Sequence, residues 1–370
     1  MILYIFFILI FLIIGSVAIF FYTAPQLGAK SSGVRLTRIL QSPNFKNGKF
    51  QNSVKTPMST SENSIMKGMW KYFTGGENRE PKKPLPTIPF DKNQFNKLEN
   101  DSPVICWFGH STVLIKLEDT IFITDPVFCE RASMFPSFGP KRFEYENSYS
   151  IEDLPRIDAV IISHDHYDHL DYQAIKKLHP TVEKFFVPLG VAAHLEKWGV
   201  PVEKIVELDW WEEGQFDGFT LIATPARHFS GRGITDRFKT LWCSWVIKSE
   251  KSNIYFGGDS GFFPGFREIE EKFGPIDFTM MECGAYSQYW STIHMKPEET
   301  ARAHLELKGK VLMPIHWGKF NLSLHSWTEP VERLSAKKEM ENIRLATPVI
   351  GEIYDLEKYV PTGKWWEKAK

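Results

Sequence analysis

Four side chains able to bind a divalent metal fall within six residues, in the run His164-Asp165-His166-Tyr167-Asp168-His169. They are His164, His166, Asp168 and His169. The run starts where the apolar stretch Ala159-Val160-Ile161-Ile162 ends. Side chains alternate along extended backbone, so His164 and His166 point the same way. Asp168 and His169 follow a bend and face a second position. Imidazole nitrogen together with carboxylate oxygen suits zinc and related first-row divalent ions. Asp165 lies off the ligand spacing. It is read either as orienting the nucleophile or a histidine, or as a plain structural hydrogen bond.

Further ligand-type residues stand at later strand ends, which a histidine-rich surface tract does not explain. His228 follows the run 220–225, and His316 follows 311–314. Asp259 follows 253–256 through Gly257 and Gly258, which let backbone come close to a site. Seven such residues at four strand ends predict a two-metal centre. A pair of divalent ions is hydrolytic chemistry that needs neither Ser nor Cys as nucleophile. No Gly-x-Ser-x-Gly elbow is present to argue otherwise.

The elements that must position these residues are short. Strand-like runs occupy 105–108, 113–117, 121–124, 159–163, 185–187, 220–224, 242–247, 253–256, 278–281 and 311–314. Several are wholly apolar, as strands buried on both faces are. Helical patterns fill 172–178, 191–198, 266–272 and 297–307. Pro297 suits a first helical turn, and Glu298 and Glu299 suit its positive end. Runs of strands followed by helices predict two sheets covered by helices, an α+β fold.

Residues 2–22 carry no charge, enough to cross a bilayer as a helix. No Lys or Arg precedes them and the first charge is Lys30, so an uncleaved anchor is expected rather than a signal peptide. Residues 30–83 hold eleven Lys or Arg against three Glu. That excess favours anionic lipid and a cytoplasmic downstream domain. Within it, residues 69–73 (Met-Trp-Lys-Tyr-Phe) are apolar enough to dock on the domain. The expected divisions are an anchor over 1–24, a basic juxtamembrane tether and docking segment over 25–100, and a hydrolase domain over 101–370. A net charge of −1 gives no global field for nucleic acid, so no nucleic-acid partner is expected. The cysteines (Cys106, Cys129, Cys243 and Cys283) have no spacing for a thiolate cluster or a disulfide framework. Cys283 reads as a buried inert thiol.

The spacing His-x-His-x-Asp-His with distant His, Asp and His resembles the metallo-β-lactamase superfamily. The segments Trp107-Phe108-Gly109-His110-Ser111-Thr112, Thr124-Asp125-Pro126-Val127-Phe128, Gly257-Gly258-Asp259-Ser260-Gly261, His294-Met295-Lys296-Pro297-Glu298-Glu299 and Ile315-His316-Trp317-Gly318 narrow it. They resemble the N-acyl-phosphatidylethanolamine-hydrolysing phospholipase D branch, over most of residues 40 to 335, including residues 42–45 and 48–52. The resemblance implies a four-layer αββα sandwich and two zinc ions. It implies that His164, His166 and His228 hold one ion, that Asp168, His169 and His316 hold the other, and that Asp259 bridges. It also implies a catalytic His294 before the Pro-Glu-Glu helix. The stretch 284–290 departs from the animal pattern and looks bacterial, which bears on substrate.

Around this set, Asp125 reads as a brace for a ligand histidine or as a turn residue. His110 either lines the site or stabilises the Gly109 turn. His179, His194, His304 and His325 read as surface or packing residues. The function expected is a phosphodiesterase of phospholipase D type on N-acyl phospholipid or related lipids, at a membrane. The alternatives are a lactonase or other ester hydrolase of the same fold, and a non-catalytic metal-binding module.

Overall fold

The computed structural model describes residues 2–58, 65–98 and 102–370. The uncharged N-terminal stretch forms one helix, α1 (Ile2–Thr23). Mean hydropathy over Tyr4–Thr23 is 2.9, and none of it is buried in the rest of the molecule. By length and composition it can cross a membrane.

The basic segment that follows packs on the domain. Helix α2 (Gly33–Gln41) buries Ile39. Its cations are taken up by domain acids: Arg35 Nε lies 2.9 Å from Glu207 Oε2, Arg35 also pairs with Glu196, and Arg38 pairs with Glu212. A hairpin of β1 (Phe45–Lys46) and β2 (Lys49–Phe50) buries Phe50. Helix α3 (Ile65–Thr74) lays Gly68 against Tyr289 and Trp290, and Tyr72 Oη donates to Asn321 O at 2.6 Å. The apolar patch expected to dock therefore divides. Tyr72 faces inward, whereas Trp70 and Phe73 are exposed. Helix α4 (Lys92–Lys97) is capped by Asp91, which accepts from the Asn93 and Gln94 amides.

Two mixed sheets follow. Strands β3 (Val104–Trp107), β4 (Val113–Leu117), β5 (Thr120–Thr124), β6 (Ala159–Ile161), β7 (Lys184–Pro188) and β8 (Ile205–Leu208) pair in chain order. The pairs from β3 to β5 are antiparallel; those from β5 to β8 are parallel. Helices α5 (Tyr172–Leu178) and α6 (Ala192–Lys197) make the parallel crossovers. Strands β9 (Glu213–Phe216), β10 (Phe219–Thr224), β11 (Ser244–Lys248), β12 (Asn253–Phe256), β13 (Phe278–Glu282) and β14 (Val311–Ile315) form the second sheet. There the crossovers are α7 (Gly265–Phe273) and α8 (Pro297–Glu306). Helix α9 (Glu329–Glu341) packs beside α8, and β15 (Ile353–Asp355) closes the first sheet at β3.

The sheets face each other through aromatic contacts. Phe122 on β5 meets Phe219 on β10 at 5.1 Å, and Phe186 on β7 meets Trp245 on β11 at 6.3 Å. Every residue of β4, β5, β13 and β14 is buried, so both faces of each sheet are covered. Two mixed sheets with crossover helices make this the α+β fold that the sequence predicts. All four cysteines are free, and Cys106, Cys243 and Cys283 are buried.

Candidate metal centre

The ligand-type residues sit on loops at one end of the facing sheets. β6 ends at Ile161, and the chain then runs without regular structure through residues 162–170 to Asp171, the cap of α5. His228 stands beyond β10, Asp259 beyond β12, and His316 directly beyond β14 at φ 65°. All seven predicted ligands meet. One group is His164, His166, His228 and Asp259; another is His110, Asp168, His169 and His316. Within each group the ligand atoms lie within 4.8 Å of one another.

Asp259 stands between the two groups. Its Oδ1 lies 3.2 Å from His169 Nε2. Its Oδ2 lies 3.1 Å from His316 Nε2, 3.6 Å from His228 Nε2 and 3.8 Å from His164 Nε2. Asp168 Oδ2 lies 3.4 Å from both His169 Nε2 and His316 Nε2. His110, left open by the sequence, belongs here: its Nε2 is 2.9 Å from Asp168 Oδ2, and its ring is 4.2 Å from that of His316.

Outer partners aim the rings inward. His169 Nδ1 meets Asp125 Oδ2 at 2.6 Å. Asp125 also accepts from the Ser163 amide at 2.7 Å and the Ser163 hydroxyl at 2.6 Å. That hydroxyl lies 2.9 Å from His164 Nδ1. His228 Nδ1 donates to Ile293 O at 2.9 Å. Asn52 clasps the His228 backbone, accepting from its amide at 3.0 Å and donating to its carbonyl at 2.8 Å. An imidazole whose Nδ1 is engaged from outside presents Nε2 inward, the usual posture of a metal ligand.

The donor set suits a metal. His169 Nε2, His316 Nε2 and Asp259 Oδ1 are buried and have no hydrogen-bond partner among the described residues. Buried polar atoms are usually paired, and three unpaired ones of ligand type converging within one cluster fit a metal. The charged groups of the cluster also act on one another. Burial opposes charge on His169, yet Asp259, Asp168 and Asp125 hold its pKa well above normal. His316, also against burial, is pushed up to about 10 by Asp259 and Asp168. Burial would raise both carboxyls, but His169 holds Asp168 and Asp259 well below their usual range. His164 and His228, dominated by burial, sit well below theirs.

Two residues named from the sequence stand at the edge of the cluster. His294 Nδ1 lies 2.8 Å from Glu282 Oε2, and its ring stacks 5.2 Å from that of His316. Burial takes the His294 pKa to about 4. Asp165 lies outside all the metal-binding groups. Its Oδ1 accepts from the Gly231 amide at 2.7 Å, and its Oδ2 accepts from Thr240 Oγ1 at 2.7 Å and lies 3.4 Å from His194 Nε2. The structure thus gives Asp165 the bracing position and leaves it no oxygen facing the cluster. His194 and His304 are buried packing residues rather than surface ones; His304 Nδ1 meets Thr279 Oγ1 at 2.7 Å.

Glu282 was missed. It ends β13, is fully buried, and accepts from the Met295 amide at 2.6 Å. With Asp259, His294 and His316 it makes a third group of metal-binding type. Burial and then Asp259 push its pKa well above normal. An acid closing an apolar strand was the same signal that marked the other ligands. Arg237 was missed as well. It lines the cavity of about 530 Å³ over the cluster, together with Phe229, Trp290, Ile293 and Leu322.

Residues 120–317 match the model for the β-lactamase superfamily domain. An uncharacterised protein of Mycobacterium tuberculosis is 39% identical over 93% of this chain and 92% of its own. An N-acyl-phosphatidylethanolamine-hydrolyzing phospholipase D of Caenorhabditis elegans is 35% identical over 73% of this chain and 80% of its own. In fold, a possible metal-dependent hydrolase of Veillonella parvula superposes with a TM-score of 0.54 at 19% identity, covering 69% of this chain and 99% of its own.

Proposed function

Given that this chain belongs to the metallo-β-lactamase superfamily and is a metal-dependent hydrolase related to N-acyl-phosphatidylethanolamine-hydrolysing phospholipases D, we propose that it is a dinuclear zinc phosphodiesterase acting on N-acyl phospholipid or a related lipid. The observation that carries this reading is the pair of four-membered ligand groups with Asp259 between them. His164, His166 and His228 would hold one ion, Asp168, His169 and His316 the other, and Asp259 both. When bound, such a pair lowers the pKa of a water toward about 7 and polarises a phosphoryl oxygen.

The chain's own residues supply the rest. Glu282, whose buried carboxyl keeps its proton, donates to His294 Nδ1 and so places the ring proton on Nε2; Nε2 hands that proton to the leaving oxygen as Nδ1 takes the one from Glu282. Asp165 braces the loop through Gly231 and Thr240. Phe229, Trp290, Ile293 and Leu322 keep water from the apolar part of a substrate. Helix α1 anchors residues 1–24 in a bilayer, residues 25–100 connect and dock, and residues 101–370 are the hydrolase domain, on the cytoplasmic side by the basic bias after α1.

The test is purified full-length protein in detergent, loaded with zinc and given N-acyl phosphatidylethanolamine vesicles, simple phosphodiesters and lactones. Headgroup release with two metals per chain supports the proposal. Lactone cleavage with the vesicles untouched replaces it with an ester hydrolase, and fewer than one metal per chain removes the dinuclear centre.

A further inference from the structure

One side chain ties the peptide that leaves α1 to the metal-binding loop. The Arg232 guanidinium is buried, with 2% of the residue exposed. Its Nε donates to Gln26 O at 2.8 Å. Its Nη1 donates to Asp165 O at 2.6 Å and to Leu170 O at 2.9 Å, the two ends of the loop that carries His166, Asp168 and His169. It lies 4.1 Å from the Tyr167 ring centroid and 5.2 Å from that of Trp198, and Tyr167 Oη donates back to Arg232 O at 2.7 Å.

The same turn is gripped from its other side. Trp198 Nε1 donates to Pro25 O at 2.7 Å, and Lys197 Nζ donates to Gly28 O at 2.7 Å. The Ala29 amide donates to His194 Nδ1 at 2.9 Å, and His194 Nε2 is the atom that faces Asp165. Gly28 has φ 73°, and a Cβ there would stand 1.9 Å from His194 Nδ1. Nothing about a flexible connection would require that fit.

We propose that residues 25–29 are a working part of the metal centre, and that Arg232 is the positioning residue that sets the loop 164–170 against them. The inference rests on reading that loop as metal-binding. Apart from a turn in which the His169 and Leu170 amides donate to His166 O, the loop has no backbone ladder, so what grips its ends helps set its shape. A planar guanidinium reaching three carbonyl oxygens fixes direction as well as distance, which an ammonium does not. The hydrolytic site is thereby built on the turn by which α1 enters the domain.

The test uses full-length protein in detergent, loaded with Co²⁺, whose visible spectrum reports coordination geometry. Gly28→Val perturbs the turn and touches no loop residue; Arg232→Gln removes the clamp, and Arg232→Lys keeps only the charge. All three are expected to weaken Co²⁺ binding by about 10- to 100-fold, the usual cost of losing an outer partner, and to alter the spectrum. Folded Arg232→Gln or Arg232→Lys with wild-type affinity and spectrum overturns the proposal. Should the variants not fold, hydrogen exchange on the wild type decides. Residues 25–29 and 164–170 gaining protection together on Co²⁺ addition supports it; protection confined to 164–170 overturns it. A wild-type chain that binds no Co²⁺ refutes the metal-centre reading itself, and this inference falls with it.

Discussion

Replacing Asp125 with Asn keeps the shape of the brace behind His169 and spoils only its hydrogen bonding. Asp125 is fully buried and at φ 33°, a backbone region that Asn tolerates better than most residues. Three donors converge on its carboxylate: the Ser163 amide, the Ser163 hydroxyl and His169 Nδ1. An amide has one oxygen and one NH₂, so either orientation sets an N–H against an N–H. If the oxygen keeps the Ser163 amide, the NH₂ faces His169 Nδ1 and favours the tautomer protonated on Nε2. That is the inward atom, unpaired and aimed at the cluster. To bind metal the variant must forgo a hydrogen bond to a charged acceptor, worth roughly 1.5–3 kcal/mol. At about 1.4 kcal/mol per decade, zinc affinity falls roughly 10- to 100-fold. Competition against a chelator of known affinity measures this on full-length protein. An Asp125→Asn variant with wild-type zinc affinity would refute the argument that Asp125 sets the His169 tautomer.

Three further outcomes follow from the same geometry. His294→Ala lowers kcat by about 10²- to 10⁴-fold with metal content retained, and Glu282→Gln lowers it less; equal metal loss in His294→Ala would make it a ligand instead. Arg237, whose guanidinium sits 4.5 Å over the Phe229 ring at the mouth of the cavity, makes no ion pair among the described residues. Arg237→Ala should raise KM for phosphodiesters and leave uncharged ester substrates unaffected, which a steady-state comparison of the two classes reads directly. Lys319 is buried and donates to Phe108 O and Val127 O; burial and then Arg142 lower its pKa from 10.5 to about 7. The unfolded chain then holds a proton that the folded chain sheds, so the contribution of Lys319 to stability rises with pH between about 7 and 10.5, by roughly 2 kcal/mol from pH 7 to 9. His169 and His316 contribute a slope of the opposite sign, so the measurement is the stability difference between wild type and Lys319→Met, which should grow with pH across that range.

The strands behind the ligand-type residues were legible because each is a largely apolar run with such a residue within four positions of its end. The runs 113–117 and 253–256 coincide with β4 and β12, and 172–178 with α5. Elements without that contrast were not legible. β9 reads Glu-Gly-Gln-Phe and lies at a sheet edge with only Gly214 buried, so its sequence has no apolar face to show. α9 buries Pro330, Val331 and Leu334 alone out of thirteen residues, too few for a helical period to stand out. The hairpin β1–β2 has two residues a side and exists because Phe50 is buried against the domain.

Within the site, legibility followed chemistry rather than distance. The seven ligand-type residues are rare side chains at strand ends, so type and position agreed. Arg232, Asn52 and Ser163 bind the same loops through backbone carbonyls, backbone amides and a hydroxyl. Such partners are drawn from common residues, and their role appears only when segments far apart in the chain meet. Arg232 lies 67 residues from Asp165, whose carbonyl it holds, and 206 from Gln26. The difference has a consequence for substitution. A change at His164 or Asp259 removes a proposed metal ligand and is visible to any motif search. A change at Asn52 or Arg232 leaves every motif intact while releasing the backbone those ligands stand on. On the proposed reading, motif completeness is necessary for the metal centre and insufficient for it, because residues outside every motif also hold the loop.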